Sequence, residues 1–398
     1  MNGKSIIEGG LFVNHKLDQM KPSASLVFMT RAREMQKTDP GVISLAGGEP
    51  DFTTPDRISM AAIKSLTEGY THYVVGPGIP ELRAGIAKKL REENGILCDE
   101  NQIIVTPGGK NAIYLAVNAV LDEGDEAMIL DPAWVSYEPI ILAAGGVPVH
   151  AKLDYKTDYR ISDAVLEAAV SEKTRLLIIN YPNNPTGRIL HEDEAEIIEA
   201  FLLRHPEIYL LSDEVYERII YGTESISMGS RPAVADRVIT VNGFSKSVAM
   251  TGWRMGYLAA NKEVFQAAYK LYQHSLSCMS GFMQKGAVEA FQCQREIEEM
   301  RSIYEQRRDM FIGILNSIPG VRCIVPEGAF YAWVYYDVKG MSSSEICEYL
   351  LENARVVGMP GTAYGEEDVA CMRFSFANAT DELEDAANRI KTAILALQ

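Results

Sequence analysis

Short runs of β-branched and aliphatic residues recur along the chain, separated by stretches whose apolar positions fall three and four apart. The runs are Ile103–Thr106, Ala127–Asp131, Val147–His150, Leu176–Asn180, Ile208–Asp213, Val238–Asn242 and Met255–Ala259. Buried strands alternating with helices of ten or more residues predict an α/β domain: a mainly parallel seven-stranded sheet between helices. Apolar spacing and caps predict helices over Pro80–Glu93, Asn111–Leu121, Glu192–Leu203 and Glu263–His274, and a long one over Arg295–Ser317 that stops at Pro319-Gly320. Beyond it the pattern changes. Three shorter strand candidates, Arg322–Val325, Phe330–Tyr336 and Met372–Phe376, surround a helix near Ser344–Glu352, and the amphipathic Asp381–Leu397 closes the chain. That order predicts a smaller α+β domain. The expected division is an arm and helix over 1–45 packing on the small domain, a large domain over 46–292 and a small domain over 293–398.

Composition supports a globular chain. With 398 residues, 47% apolar and 23% charged, there is enough material for one large core and a lesser one. No apolar run reaches the roughly 18–20 residues of a membrane span, and the opening residues lack a signal-peptide core, so a cytoplasmic protein is expected. A net charge of −16 opposes a nucleic-acid surface, which needs clustered Lys and Arg. The six cysteines are dispersed without a C-x-x-C pair, and the six histidines show no metal-ligand spacing, so no metal is expected. Gly76-Pro77-Gly78 lacks the third glycine of a dinucleotide loop, Gly108-Gly109-Lys110-Asn111 is not a P-loop, and no G-x-S-x-G elbow occurs.

Chemistry gathers instead at strand ends, where ligands sit in α/β sheets. Asn242-Gly243-Phe244-Ser245-Lys246-Ser247 sets a lysine in a Gly/Ser-rich turn just past a buried strand. A desolvated lysine near another cation has a depressed pKa and can form an imine with an aldehyde. Such a cation stands eight residues on: Arg254, in Thr251-Gly252-Trp253-Arg254-Met255-Gly256, beside glycines that let backbone approach a phosphate. A lone loop lysine reads as a solvated side chain; this paired context favours the cofactor. Upstream, Ser212-Asp213-Glu214-Val215-Tyr216 ends an apolar strand with a carboxylate and a phenol three apart. A carboxylate facing a pyridine nitrogen keeps it protonated, which suits Asp213, with Tyr216 donating to the ring oxygen. The loop Asn180-Tyr181-Pro182-Asn183-Asn184-Pro185-Thr186-Gly187 is stiffened by two prolines and could hold Asn184 against the same oxygen, although a plain structural turn would look similar.

Taken together, Ser245-Lys246 with Gly252 and Arg254, Asn184 within Pro-Asn-Asn-Pro-Thr-Gly, and Ser212-Asp213-Glu214-x-Tyr216 resemble the class I aminotransferases of the pyridoxal-phosphate fold type I. The likeness runs from about Met20 to the C-terminus. It is closest to the bacterial aspartate aminotransferase subgroup through Met20-Lys21-Pro22-Ser23-Ala24-Ser25, Gly48-Glu49-Pro50-Asp51-Phe52, Gly78-Ile79-Pro80-Glu81-Leu82-Arg83, Gly108-Gly109-Lys110 and Trp134-Val135-Ser136-Tyr137. The resemblance implies pyridoxal 5′-phosphate bound covalently to Lys246. Its phosphate would meet the backbone at Gly108-Gly109-Lys110, together with Ser245 and Arg254; Trp134 would stack on its ring. Tyr73 would reach the phosphate of a neighbouring subunit, making the active unit a homodimer. Arg373 would grip the substrate α-carboxylate, with Gly48, Asn184 and Trp134 nearby. Lys110 and Ser25 would recognise the side-chain carboxylate of aspartate.

The implied reaction moves an amino group from an amino acid to a 2-oxo acid such as 2-oxoglutarate, with Lys246 as general base and acid. Competing expectations on the same fold are an aminotransferase for aromatic or other amino acids, a C–S lyase and a decarboxylase. An inactive regulatory domain is disfavoured because Lys246, Asp213, Arg254 and Arg373 each have a separate chemical duty, and the N-terminus has no room for a DNA-binding segment. Two departures from the family pattern stand out. Gly243 occupies the place of a phosphate-binding serine found in many relatives, and His274-Ser275-Leu276-Ser277-Cys278-Met279-Ser280 replaces a Ser/Thr-rich run that approaches the partner's site.

Overall fold

A computed structural model describes residues 24–398 together with Met20 and Pro22; of residues 23–29 and 31 no side chain is described. The chain enters through a helix, Ala24–Thr38, and a two-residue strand β1 (Ile43–Ser44). The main sheet then assembles β2 (Ile103–Pro107), β3 (Glu126–Asp131), β4 (Val147–Lys152), β5 (Thr174–Asn180), β6 (Tyr209–Asp213), β7 (Val238–Gly243) and β8 (Met255–Ala259). Its spatial order is β2-β8-β7-β6-β5-β3-β4. All pairings are parallel except those of β8, which runs antiparallel to both β2 and β7. Every run expected from the sequence is thus a strand, with ends shifted by one or two residues.

The interior strands have side chains buried on both faces, which is why they read as unbroken apolar runs; the edge strand β4 is largely uncovered. The helix Gly109–Val120 lies against β8 and β7, burying Ala112, Ile113, Leu115, Ala116 and Val117, each worth up to about 1.5–3 kcal/mol for the larger side chains. It begins two residues earlier than its apolar period predicts. The strand before it is stopped by Pro107, and Gly108 takes a left-handed φ of 76° that turns the chain straight into the helix. Gly109 and Lys110 therefore occupy the first turn.

A second sheet holds β9 (Val321–Cys323), β10 (Tyr331–Tyr336), β12 (Met359–Pro360) and β13 (Cys371–Ser375) in the order β12-β13-β10-β9. Between them β11 (Val356–Val357) pairs in parallel with β1, so the entering segment joins this part of the molecule. The helix Gln294–Asn316 and the C-terminal helix Thr380–Leu397 cover the small sheet, and Ser342 opens the helix Ser343–Ala354 with a reciprocal capping box to Glu345. Among the described residues, no helix is long and apolar enough to cross a membrane, and no three His, Cys, Asp or Glu side chains gather as metal ligands.

Candidate active site

The sheet topology brings distant stretches to one edge. The C-terminal ends of β2, β3, β5, β6 and β7 point the same way, and because β8 is antiparallel its N-terminal end lies among them. Gly108–Lys110, Trp134, Asn184, Asp213, Lys246 and Arg254 each follow or precede one of these ends. They open on a cleft of about 1400 Å³, its mouth included. Of the residues singled out in the sequence, Gly48, Gly109, Lys110, Trp134, Asn184, Asp213, Tyr216, Ser245, Lys246, Arg254 and Arg373 line it.

Lys246 lies at the centre. Its Nζ donates to the Gly48 carbonyl and sits 5.9 Å from the Tyr216 ring and 5.7 Å from that of Phe330. Burial brings its pKa down to about 8, with Arg254 and Arg373 pushing the same way against Glu49 and Asp213. About a tenth of the amine is therefore unprotonated at pH 7, far more than for an ordinary lysine, and this is the form that attacks an aldehyde.

Asp213 is buried at the end of β6, and loss of water raises its pKa to about 6. The Tyr137 hydroxyl donates to its Oδ2 at 2.7 Å, and that bond and the charge of Lys246 oppose the rise. Among the described residues Lys246 is the cation that acts on the carboxylate, and it does not offset burial, so a protonated ring nitrogen placed there would restore its ionised form. Tyr216 is buried too, its hydroxyl 2.7 Å from that of Tyr331.

The opposite side of the cleft presents cations. At the helix start Gly108 lies under Arg254: a Cβ on Gly108 would fall 2.5 Å from Arg254 Nη2. A Cβ on Gly256 would fall 2.5 Å from both Gly108 C and Gly109 N. Only glycines allow β2, β8 and the guanidinium to converge, and the result is a cradle of helix N-terminal amides beside an arginine, a phosphate site in kind. Ser245 lines the cleft alongside. Gly243 is explained as well, since its Cβ would meet the Met255 carbonyl at 2.9 Å and the Gly256 Cα at 3.0 Å; no serine fits there.

Arg373, on β13, reaches across from the small sheet. Nη1 donates to Asn184 Oδ1 at 2.9 Å and Nη2 to the Ala46 carbonyl at 2.6 Å, while the guanidinium lies 4.3 Å over Tyr331 and 5.1 Å over Tyr364. Its buried Nε has no partner among the described residues, so a donor remains for a carboxylate. Because arginine only donates, Asn184 must turn its oxygen towards it, leaving the amide Nδ2 as a donor for a ligand. Lys110 stands at the exposed rim with its Nζ 4.9 Å over the Trp134 ring. Partial burial and Arg254 hold it below the usual lysine range.

Two candidates stand apart. Tyr73 is 91% exposed, outside the cleft, on a surface groove with Tyr70, His72 and Val74. The segment after His274 runs beside it, for a Cβ on Gly281 would touch Tyr70 and Val74. Ser25 lies in the entering helix, but its side chain is outside the described residues. Sequence reasoning gave no role to Tyr137, Asn180, Tyr331 and Tyr364. Tyr137 could have been found within Trp134-Val135-Ser136-Tyr137, and Asn180, whose Oδ1 accepts the Asn184 amide at 2.9 Å, as the last residue of β5.

The cradle, the buried carboxylate and the desolvated lysine fit a phosphorylated pyridine aldehyde. Comparison with known proteins agrees. The family model for aminotransferase class I and II matches residues 40–390. An aspartate aminotransferase of Musicola paradisiaca is 39% identical over 378 residues, covering 94% of each chain. Aromatic-amino-acid aminotransferase 2 of Thermococcus litoralis is 38% identical, covering 96% of this chain and 98% of its own. The crystal structure of the aspartate aminotransferase from Rhizobium meliloti superposes with a TM-score of 0.93 at 34% identity, over 98% of this chain and all of the other. The chain belongs to the class I and II aminotransferases and is a pyridoxal-phosphate-dependent transaminase.

Proposed function

We propose that this enzyme transfers the amino group of aspartate to a 2-oxo acid such as 2-oxoglutarate, with Lys246 moving the proton. The observation that carries the reading is the convergence, on one cleft, of a desolvated lysine, a buried carboxylate and two cationic ends. Bound there, pyridoxal phosphate supplies an aldehyde that captures amines and a ring that accepts the electron pair left when the α-proton departs. Gly108, Gly109, Ser245 and Arg254 would hold the phosphate, Asp213 the ring nitrogen, and Trp134 would cover the ring face. Tyr216 and the Asn184 Nδ2 would donate to the ring oxygen. Arg373 binds the α-carboxylate and so fixes which substituent faces Lys246 Nζ, which takes the α-proton and gives it back one position away. Lys110, a cation at the rim of the cleft, supports a substrate that carries a second carboxylate.

Support for aspartate comes from that cation and from the relatives named for it. The apolar wall of Ile113, Trp134, Val135 and Val215 favours a second reading, an aromatic amino donor. A panel of amino donors against 2-oxoglutarate separates them: aspartate should give the highest kcat/KM, and a preference for phenylalanine or tyrosine would reject the first reading. Ammonia released without a 2-oxo acid would point to a lyase.

The exposed Tyr73 groove supports a homodimer in which Tyr73 reaches the neighbouring phosphate; sedimentation as a 44.0 kDa species would exclude it. The two sheets support large and small domains over 46–292 and 293–398, with the entering residues on the small one; limited proteolysis that never cuts near residue 293 would count against this. Six free cysteines suit a cytoplasmic enzyme, an assignment that recovery from the secreted fraction would overturn.

A further inference from the structure

The stretch Gly48-Glu49-Pro50-Asp51-Phe52 has so far supplied only one carbonyl to the site, yet it is held more firmly than that role explains. It belongs to a strap that crosses between the two sheets. At its near end Leu45 is locked into the small sheet, its amide bonding the Val357 carbonyl at 2.8 Å and its carbonyl taking the Ser375 amide at 2.7 Å. At the far end the Thr54 hydroxyl donates to the Ala249 carbonyl at 2.8 Å and accepts from Trp253 Nε1 at 3.0 Å, on the same loop as Lys246 and Arg254. Thr251 donates to Glu49 between them.

The intervening residues carry the carbonyls that aim both functional cations. Ala46 and Gly47 accept from Arg373 Nη2 at 2.6 Å and 3.3 Å, and Gly48 accepts from Lys246. Two successive glycines have no side chain to fix carbonyl directions, and a Cβ on Gly47 would touch nothing within 4 Å. Direction therefore comes from the anchors on either side, Leu45 before the glycines and Glu49 and Asp51 after them, of which Asp51 has the firmest hold. Its carboxylate receives a two-point contact from Arg307, Nη1 to Oδ1 at 2.8 Å and Nη2 to Oδ2 at 2.9 Å. Arg307 is 6% exposed, lies 5.3 Å over the Phe52 ring and donates through Nε to Thr380 at 3.2 Å. Phe52 packs edge-on against Tyr304, one turn before Arg307 on the helix Gln294–Asn316.

We propose that the Asp51–Arg307 pair is a positioning element of the substrate site, holding the 46–52 strap so that its carbonyls orient Arg373 and Lys246. The inference rests on Arg373 as the α-carboxylate residue and Lys246 as the cofactor lysine. A planar, bidentate guanidinium–carboxylate contact fixes both distance and rotation, which a single hydrogen bond would not. Loss of the pair lets the glycines turn, and the first casualty is carboxylate recognition, common to every amino acid.

The test is Asp51→Asn, which keeps the shape but removes the charge and sets an NH₂ group against a guanidinium. The Michaelis constants for aspartate and for an aromatic donor should rise together by about tenfold, with kcat changed less than threefold. The cofactor-free variant should melt below wild type, because the buried Arg307 loses its charged partner, so the discriminating readout is the rise in Michaelis constant at nearly constant kcat. Asp51→Glu, which retains a carboxylate, should recover part of the loss. Wild-type Michaelis constants in both Asp51→Asn and Asp51→Ala would overturn the inference, as would a fall in kcat with the Michaelis constants unchanged. A colourless wild-type protein in the presence of pyridoxal phosphate would instead reject the underlying function, so the two failures are distinct.

Discussion

Replacing Gly256 by alanine should weaken cofactor binding without touching any group that does chemistry. Gly256 lies in β8 between two ladders, opposite Thr106 of β2 and Gly243 of β7, so its own backbone has little freedom to retreat. The added methyl would stand 2.5 Å from Gly108 C and from Gly109 N, and 2.9 Å from Gly108 Cα. Carbon contacts settle near 3.5–4.0 Å, so the Gly108-Gly109 turn must move by roughly 1 Å. Overpacking of this kind costs about 1–3 kcal/mol of stability. The same movement turns helix N-terminal amides away from the phosphate. Losing one hydrogen bond to a charged group removes about 1.5–3 kcal/mol, or roughly 10- to 150-fold in Kd. Titration of pyridoxal phosphate into cofactor-free protein, followed by absorbance, reads the effect directly. Gly313→Ala is the control: its Cβ meets nothing within 4 Å on the helix Gln294–Asn316, and affinity should be unchanged. A Gly256→Ala protein that binds within twofold of wild type would refute the cradle.

Lys110→Ala should lower kcat/KM for aspartate by about 10²-fold or more while an aromatic donor loses far less, since only the former leaves a carboxylate unpaired at the rim; equal losses would remove the specificity argument. Glu214 is buried beside Ser212 and Ser227, and burial, helped by Glu217, raises its pKa to about 7 from 4.5. A carboxyl raised in the folded state contributes stability below its unfolded pKa and loses it as pH climbs through the folded value. Relative to wild type, Glu214→Gln should therefore gain stability between about pH 4.5 and 7.5, by up to about 3 kcal/mol. Parallel melting curves for the two proteins across that range would contradict the assignment.

Much of this architecture is legible locally because its determinants are local. Six of the seven strands of the main sheet are buried almost throughout and read as plain apolar runs, only the edge strand β4 being largely uncovered, and Lys246, Asp213 and Arg254 stand out as charged residues at the ends of such runs. Helix Gly109–Val120 starts where propensity argues against it: glycines are poor helix formers, and here close approach to β8 overrides that preference. The eight-residue helices Tyr137–Ala144 and Gly281–Val288 were not anticipated, having few periods from which to read a face; the twelve-residue Asp56–Thr67 was missed although it is long enough to show one. Tyr331 and Tyr364 were missed for another reason. They sit more than eighty residues after Lys246 in sequence, and only the docking of the small sheet over the strand ends puts them against Tyr216 and Arg373. Arg373 itself came from family likeness; nothing in Cys371–Ser375 marks its guanidinium as aimed into a cleft rather than at solvent.

The central claim is that the ε-amine of Lys246 holds the cofactor covalently and carries the proton. Borohydride reduction of the purified enzyme with pyridoxal phosphate, followed by peptide mass analysis, addresses it most directly. Wild type should retain the reduced cofactor on the peptide containing Lys246, whereas Lys246→Ala should bind it only reversibly, with transaminase activity lost. A cofactor fixed to a different lysine in the wild type, or undiminished turnover in Lys246→Ala, would contradict the account.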